Sequence, residues 1–181
     1  MLRSILLASL MAGACLNSYA QGGTWTLHGD WVSSAIQSCK DETGDTAACR
    51  EFSGQALDRL LGTTEFCADA GCMLMADIEA SLRNTPERWQ LIGGASDQGV
   101  LDKARDMVAA GRIVVAAQRE NALGQIAILM PGSAVPSGKW GMDRVPVAAA
   151  ARPDAPDKSV YAEGINWVFS EPSKVMLYSR R

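Results

Sequence analysis

The chain has 181 residues, a formal net charge of −3 and 48% apolar residues. That length corresponds to about one domain, and the apolar fraction is sufficient for a hydrophobic core, which excludes a disordered chain. Charges of both signs are interspersed and the net charge is mildly acidic, so we expect no nucleic-acid partner. The single histidine, His28, excludes a His-rich metal site and a relay of two histidines.

The N-terminal residues have the pattern of an export signal. Arg3 supplies a positive charge, and residues 5–14 form a short apolar run. The small residues Ser18 and Ala20 then precede a cleavage position before Gln21. The apolar run is too short for a stable membrane span.

A lipid anchor is the alternative to soluble export. Residues 12–15 are similar to a lipoprotein box, but the leucine expected three positions before Cys15 is missing. We therefore predict a signal peptide over residues 1–20. The mature protein, residues 21–181, is predicted to be one domain located in the periplasm or secreted.

Four cysteines remain after removal of the signal: Cys39, Cys49, Cys67 and Cys72. An even number in an oxidising compartment predicts two disulfides, with three possible pairings. The pairing of sequence neighbours closes two short loops, and each such loop stabilises the fold by roughly 2–3 kcal/mol. Zinc is a poor alternative because the sequence has no Cys-x-x-Cys pair.

The first half of the mature chain has a helical pattern. Apolar residues at helical spacing within residues 31–36 predict a first helix, with Asp30 as its cap. A second amphipathic helix is predicted over Ala47–Leu61, with Thr46 as the N-cap and Gly62 as the terminator.

Two further helices follow in the predicted order. Residues 73–82 form the third, and residues 88–92 are expected to be only a short turn. Ser96 is the expected cap of the fourth helix, and Gly111 the expected end.

The second half changes to a strand pattern. Residues 112–117 and 125–130 are apolar and rich in β-branched side chains, and the polar turn 119–121 between them predicts an antiparallel hairpin. A weaker strand is expected around residues 145–147.

A final hairpin is predicted from residues 165–169 and 174–178, joined by a turn that contains Pro172. Helices first and antiparallel strands afterwards predict an α+β domain in which N-terminal helices pack on a C-terminal antiparallel sheet.

Two motifs carry a resemblance to a known family. Cys49 opens the second helix in the sequence Cys-Arg-Glu-Phe, and Gly124 and Gln125 begin the second strand of the first hairpin. They resemble the nucleophile helix and the Gly-His strand of NlpC-type cell-wall cysteine peptidases, a branch of the papain-like superfamily. Order and spacing over residues 36–178 are most similar to the compact peptidoglycan amidases delivered as type VI secretion effectors. The resemblance implies a papain-like NlpC-type fold and a peptidoglycan stem peptide as the ligand.

The family chemistry requires a thiolate and a base. A cysteine in the first turn of a helix has a lowered pKa, because free backbone N–H groups and the helix dipole stabilise its anion. The resemblance makes Cys49 the nucleophile and position 125 the base, yet Gln125 has no basic nitrogen. Loss of one such partner typically costs about 10³–10⁴ in rate. His28 could replace the base only if the N-terminal segment folded back over the site.

The resemblance therefore implies a degenerate member that is weakly active or binds stem-peptide-like ligands without catalysis. The alternatives are a competent cysteine amidase, or a disulfide-stapled periplasmic interaction protein unrelated to the family. In that last case the partner is another envelope protein. No Gly-rich phosphate loop and no spaced set of metal ligands is present in the sequence, so we expect no cofactor and no metal.

Each candidate site residue also has a structural interpretation. Cys49 is either the nucleophile or a half-cystine paired with Cys39. Gln125 either orients or polarises a bound amide in the cleft or simply begins a strand and faces water. Trp140 and Trp167 are either rim aromatics that contact a ligand or ordinary core residues.

Overall fold

The computed structural model describes residues 23–41, 47–118 and 124–181 of the chain. The predicted signal peptide, the expected cap at Thr46 and the expected turn at 119–121 lie outside these ranges. No helix within the described ranges is both long and apolar enough to cross a membrane.

Four helices lie in the N-terminal part of the described chain. They are α1 (Gly23–Asp41), α2 (Ala47–Leu61), α3 (Met75–Asn84) and α4 (Gln98–Ala109). The bounds of α2 are the predicted ones. Gly62 has φ +64°, a left-handed conformation that glycine adopts without steric cost, so it ends this helix as expected.

Two helix starts differ from the prediction. α1 runs through Asp30, so this residue lies inside the helix and does not cap it. The helix begins earlier because its buried face includes Trp25. α4 is capped by Asp97 and not by Ser96: the Asp97 carboxylate accepts a hydrogen bond from the backbone N–H of Gly99 at 2.7 Å.

The strands of the described chain form one large sheet and two small hairpins. In chain order they are β1 (Cys67–Ala68), β2 (Gly71–Cys72), β3 (Trp89–Gly94), β4 (Val114–Gln118), β5 (Gln125–Leu129), β6 (Val135–Ser137), β7 (Met142–Val145), β8 (Val147–Ala150), β9 (Val160–Gly164) and β10 (Val175–Arg180). The large sheet has the order β3-β10-β4-β5-β8-β9, and every neighbouring pair is antiparallel. Helices and an antiparallel sheet confirm the α+β class.

The first predicted hairpin is present. β4 and β5 pair antiparallel, with Ala116 opposite Ala127 and Gln118 opposite Gln125. The weaker strand expected around residues 145–147 is divided at Pro146, where β7 ends and β8 begins.

The predicted C-terminal hairpin is wrong. Ile165–Trp167 is a turn of 3₁₀-helix, and β10 pairs with β4 on one side and β3 on the other. β10 is an interior strand of the sheet, and both of its faces are covered, as the full burial of Leu177 and the near-complete burial of Tyr178 show.

The expected short turn at residues 88–92 is also wrong, because this segment forms the edge strand β3. Its partner is the C-terminal strand β10, with Trp89 opposite Arg180. Such a pairing between distant parts of the chain leaves no local sequence signal.

The large sheet separates two hydrophobic clusters. α1, α2 and α3 cover one face, and α4 and the turn after β9 cover the other. Successive side chains of β4 and β5 point to opposite faces of the sheet, so each strand contributes residues to both clusters. Facing the first cluster are Val115, Ala117, Ile126 and Ile128; facing the second are Val114, Ala116, Ala127 and Leu129.

A disulfide joins Cys67 and Cys72, as the spacing predicted. These residues are opposite partners in the β1–β2 hairpin. The hairpin packs directly on α2 at Gly54, where an added Cβ would lie 2.9 Å from the Cβ of Cys72. A larger residue at position 54 would therefore displace the hairpin.

Candidate functional site

A cleft of about 560 Å³ opens where the helical layer meets one end of the sheet. Its wall is built from the first turn of α2, the start of α3, the start of β5, residues 151–154 after β8 and the turn at Ile165–Trp167. The elements that the sequence identified as the nucleophile helix and the Gly-Gln strand therefore contribute to one cavity.

Cys49 lies in the first turn of α2 but does not face the cleft. Its side chain is fully buried and forms a disulfide with Cys39 of α1, with a Cα–Cα distance of 4.9 Å. The structure thus confirms the interpretation of Cys49 as a half-cystine. A disulfide sulfur carries no thiolate, so Cys49 in this state cannot attack a carbonyl. Its neighbour Arg50 lines the cleft instead.

Gln125 lies in the wall of the cleft and is half-buried. In one orientation, its side-chain amide forms hydrogen bonds with two neighbouring polar groups. The NH₂ group donates to the backbone carbonyl of Val168 at 3.0 Å, and the oxygen accepts from Nε of Arg152 at 2.8 Å. These two bonds fix the amide in place, and it remains unable to accept a proton as an imidazole does.

The position of Gln125 depends on the glycine before it. Gly124 has φ +63°, and an added Cβ would lie 2.8 Å from the backbone nitrogen of Ala76 at the start of α3. Glycine therefore permits both the left-handed turn and the close approach of the chain to α3. This contact sets where β5 begins at the cleft.

Arg152 and Asp154 complete a polar group beside Gln125. Arg152 Nη2 and Nε donate to the two carboxylate oxygens of Asp154 at 2.7 and 3.2 Å. The backbone N–H of Arg152 donates to Ser159 Oγ, and that hydroxyl lies 3.2 Å from Cys39 Sγ. The hydrogen bond from Arg152 holds the pKa of the Asp154 carboxyl below its usual value of 3.8, so this group is an anion at neutral pH.

Four charged residues that were not predicted as site residues are Arg50, Lys139, Arg152 and Asp154. All four line the cleft. The only local signal is the charged Arg-Pro-Asp segment directly after the apolar strand β8, where a polar loop at a strand end is a common place for binding residues.

The two tryptophans predicted at the rim differ in their exposure and location. Trp167 lines the cleft and is 66% exposed. Trp140 is 7% exposed, packs in the second hydrophobic cluster and donates its indole N–H to the carbonyl of Phe169 at 3.3 Å. Trp140 is therefore a core residue away from the rim, because a buried indole with a satisfied N–H is stable inside the protein.

Histidine and clusters of metal-ligating side chains are not found among the described residues that line the cleft. His28 is half-buried on α1 and is not among the residues that line the cavity. Within the described ranges, no three His, Cys, Asp or Glu side chains come together as a metal-binding group. The cleft offers amide, guanidinium, ammonium, carboxylate and indole groups, which are suited to binding a polar ligand.

No protein-family model matches the chain, and no curated protein matches it.

Proposed function

We propose that this protein is a non-catalytic binding module of the cell envelope, located in the periplasm or secreted, whose cleft binds peptidoglycan stem peptides. In this proposal the fold derives from the NlpC-type cysteine peptidases. The observation that carries it is that the cleft is open to solvent, whereas Cys49, in the nucleophile position, is bonded to Cys39 in a disulfide.

The side chains of the cleft support a peptide ligand. Gln125 lies in the wall with its amide hydrogen-bonded to Val168 and Arg152, and Trp167 is an exposed indole at the rim. An amide group matches the peptide bonds of a ligand, and an indole packs on apolar side chains or sugar rings with little loss of conformational freedom. Two disulfides agree with an oxidising compartment.

The position of α2 supports the relationship to the family. Cys49 occupies the first turn of α2, and this helix and β5 both pack against the first hydrophobic cluster, with their ends at the same cleft. The family arrangement likewise brings a helix start to a strand start. Gln125 replaces the base, and the disulfide removes the thiol of Cys49. Both reactive groups are then absent, while the cavity is retained.

Binding can be measured by isothermal titration calorimetry with purified disaccharide-tetrapeptide muropeptides and the oxidised protein. We expect saturable binding, accompanied by a change in the fluorescence of Trp167. Trp167→Ala removes the exposed indole and should weaken binding about tenfold, about 1.4 kcal/mol. Leu91→Ala is the matched control, since Leu91 is 52% exposed on the edge strand outside the cleft.

The same samples test the absence of catalysis. After prolonged incubation, chromatography of the muropeptides should show no new fragments. Release of a peptide or amine by the oxidised protein would contradict a non-catalytic role, and absence of binding to any muropeptide would contradict the ligand.

A further inference from the structure

The Cys39–Cys49 disulfide lies next to the connection between β8 and β9. Both of its cysteines are fully buried. Sγ of Cys39 lies 3.2 Å from the hydroxyl oxygen of Ser159, a residue that is 2% exposed and directly precedes β9. This contact joins α1 to a segment 120 residues further along the chain, so it forms only in the folded protein.

The same hydroxyl contacts the wall of the cleft. Ser159 Oγ accepts a hydrogen bond from the backbone N–H of Arg152 at 2.9 Å. Nε of Arg152 in turn donates to the amide oxygen of Gln125 at 2.8 Å. The NH₂ group of Gln125 donates to the carbonyl of Val168, the residue after Trp167. A continuous series of polar contacts therefore leads from the disulfide to the part of the wall that holds the two proposed ligand-binding groups.

A disulfide and a pair of thiols form different hydrogen bonds with Ser159. A disulfide sulfur carries no proton, so the hydroxyl donates to Cys39 Sγ and its oxygen lone pairs accept from Arg152. A thiol can donate its proton to the same oxygen, in competition with the N–H of Arg152. Two non-bonded sulfur atoms also need more room than two bonded ones, and a fully buried, close-packed site transmits that displacement to its neighbours.

We propose that the Cys39–Cys49 pair is a redox-sensitive switch and that Ser159 is the positioning residue that connects it to the cleft. A dithiol reductant breaks the S–S bond and becomes a disulfide itself, and its two electrons and two protons produce thiols on Cys39 and Cys49. In the oxidised state Ser159 holds Arg152 where it orients Gln125. In the reduced state this wall is rearranged and binds the ligand less tightly. The effect on binding rests on the proposed function, whereas the rearrangement of the wall can be measured without a ligand.

Variants with one disulfide isolate the response of the wall. Cys67→Ala/Cys72→Ala retains Cys39–Cys49, and Cys39→Ala/Cys49→Ala retains the hairpin disulfide. Heteronuclear NMR spectra of each are recorded before and after dithiothreitol, with the side-chain amide of Gln125 assigned from its absence in Gln125→Ala. We expect this signal to shift on reduction of the first variant and to return on reoxidation. It should not respond in the second variant. Thiol titration of the denatured samples measures the extent of reduction.

Ser159→Ala tests the connection, because it removes the hydroxyl and keeps the disulfide. In the variant that retains Cys39–Cys49, this substitution should reduce the shift of the Gln125 signal on reduction to at most about half. A purely structural role of Ser159 would change the spectrum before reduction and leave the response to dithiothreitol intact. Ser179→Ala is the matched control, since Ser179 is a fully buried serine whose hydroxyl donates to the carbonyl of Arg180 in β10.

The consequence for binding is measured by calorimetry with disaccharide-tetrapeptide muropeptides. Reduction of the variant that retains Cys39–Cys49 should weaken binding at least about fivefold, the lower end of typical coupling between two sites. Reduction of the variant that retains the hairpin disulfide should leave the affinity unchanged.

The outcomes separate the two proposals. The switch would be overturned, and the proposed function left standing, by a Gln125 signal that does not respond to reduction or by an undiminished response in Ser159→Ala. Resistance of Cys39–Cys49 to dithiothreitol in the folded protein would have the same meaning. A shifted Gln125 signal with unchanged muropeptide affinity would overturn the effect on binding. Failure of muropeptides to bind in either redox state would overturn the proposed function, while the Gln125 signal would still decide the switch.

Discussion

Asp58 shows how one buried carboxylate organises a loop. It lies in α2, is 8% exposed and accepts hydrogen bonds from the backbone N–H groups of Phe66 and Cys67, at 3.0 and 2.8 Å. The hydroxyl of Thr63 donates to the same carboxylate at 3.0 Å. Asp58 therefore connects the end of α2 to the disulfide hairpin.

Asp58→Ala should lower the free energy of unfolding by about 1–3 kcal/mol, because buried N–H groups lose their acceptor. Urea denaturation at neutral pH measures this loss. Asp69→Asn is the control: Asp69 lies in the exposed turn of the same hairpin, so removal of its charge should change stability by less than about 0.5 kcal/mol. Equal effects of the two variants would show that net charge, and not the buried contact, is responsible.

The contact of Asp154 with Arg152 makes the stability of the protein depend on pH. Arg152 lowers the pKa of this carboxyl in the folded state below its usual value of 3.8. The stabilisation is therefore complete above about pH 4 and is lost as the pH falls through the lower folded-state pKa. The pair is half-exposed, so its contribution is less than about 1 kcal/mol after solvent screening.

Asp154→Asn should be slightly less stable than the parent at pH 7, and the difference should diminish as the pH is lowered from 7 to below about 4. Denaturant titrations across this range provide the measurement. Asp157→Asn, a neighbouring exposed aspartate, should show no such convergence. A difference for Asp154→Asn that stays constant with pH would mean that the ion pair does not cause it.

At the scale of elements, the two disulfides stabilise different connections. Cys39–Cys49 joins α1 to α2 across a sequence separation of 10, and both cysteines are fully buried. Cys67–Cys72 closes a hairpin across a separation of 5, and its cysteines are partly exposed. The longer loop restricts the unfolded chain more strongly.

Paired alanine substitutions test this ranking. Removal of Cys67–Cys72 should lower the free energy of unfolding by about 2 kcal/mol, and removal of Cys39–Cys49 by nearly 3 kcal/mol. Removal of the buried pair should lower the free energy of unfolding more, because the loss of its two sulfur atoms also leaves a cavity in the core. Urea denaturation of both variants is the measurement, and a larger loss for the hairpin pair would contradict the ranking.

At the scale of the whole molecule, stability depends on the interior strand β10, which lies between β3 and β4. Leu177 is fully buried there, in the cluster covered by α4. The strand pairs with β4 and also holds the edge strand β3. The last strand of the chain therefore connects the edge of the sheet to its centre, and the sheet is completed only when β10 is in place.

Leu177→Ala should destabilise the protein by about 2–5 kcal/mol, through lost burial and an unfilled cavity. Leu91→Ala on the exposed face of β3 is the matched control, and its effect should stay within about 0.5 kcal/mol. Thermal and urea denaturation compare the two. A small effect of Leu177→Ala would show that the burial of β10 contributes little to the stability of the sheet.

Several features follow from the sequence alone, because they depend on residues close together in the chain. The bounds of α2, the β4–β5 hairpin and the Cys67–Cys72 pairing each follow from a local period, a glycine or a short cysteine spacing. The α+β class follows from the order of helical and strand patterns.

Other features were decided only by tertiary structure. β10 pairs with β3 and β4, which are distant in sequence, because its two apolar faces fit an interior position of the sheet. The sequence around each tryptophan did not indicate that Trp140 is buried and Trp167 is exposed. The contact of Arg152 with Gln125 likewise arises where β8 ends beside the start of β5, and residue spacing does not encode such contacts between segments that only the folded sheet brings together.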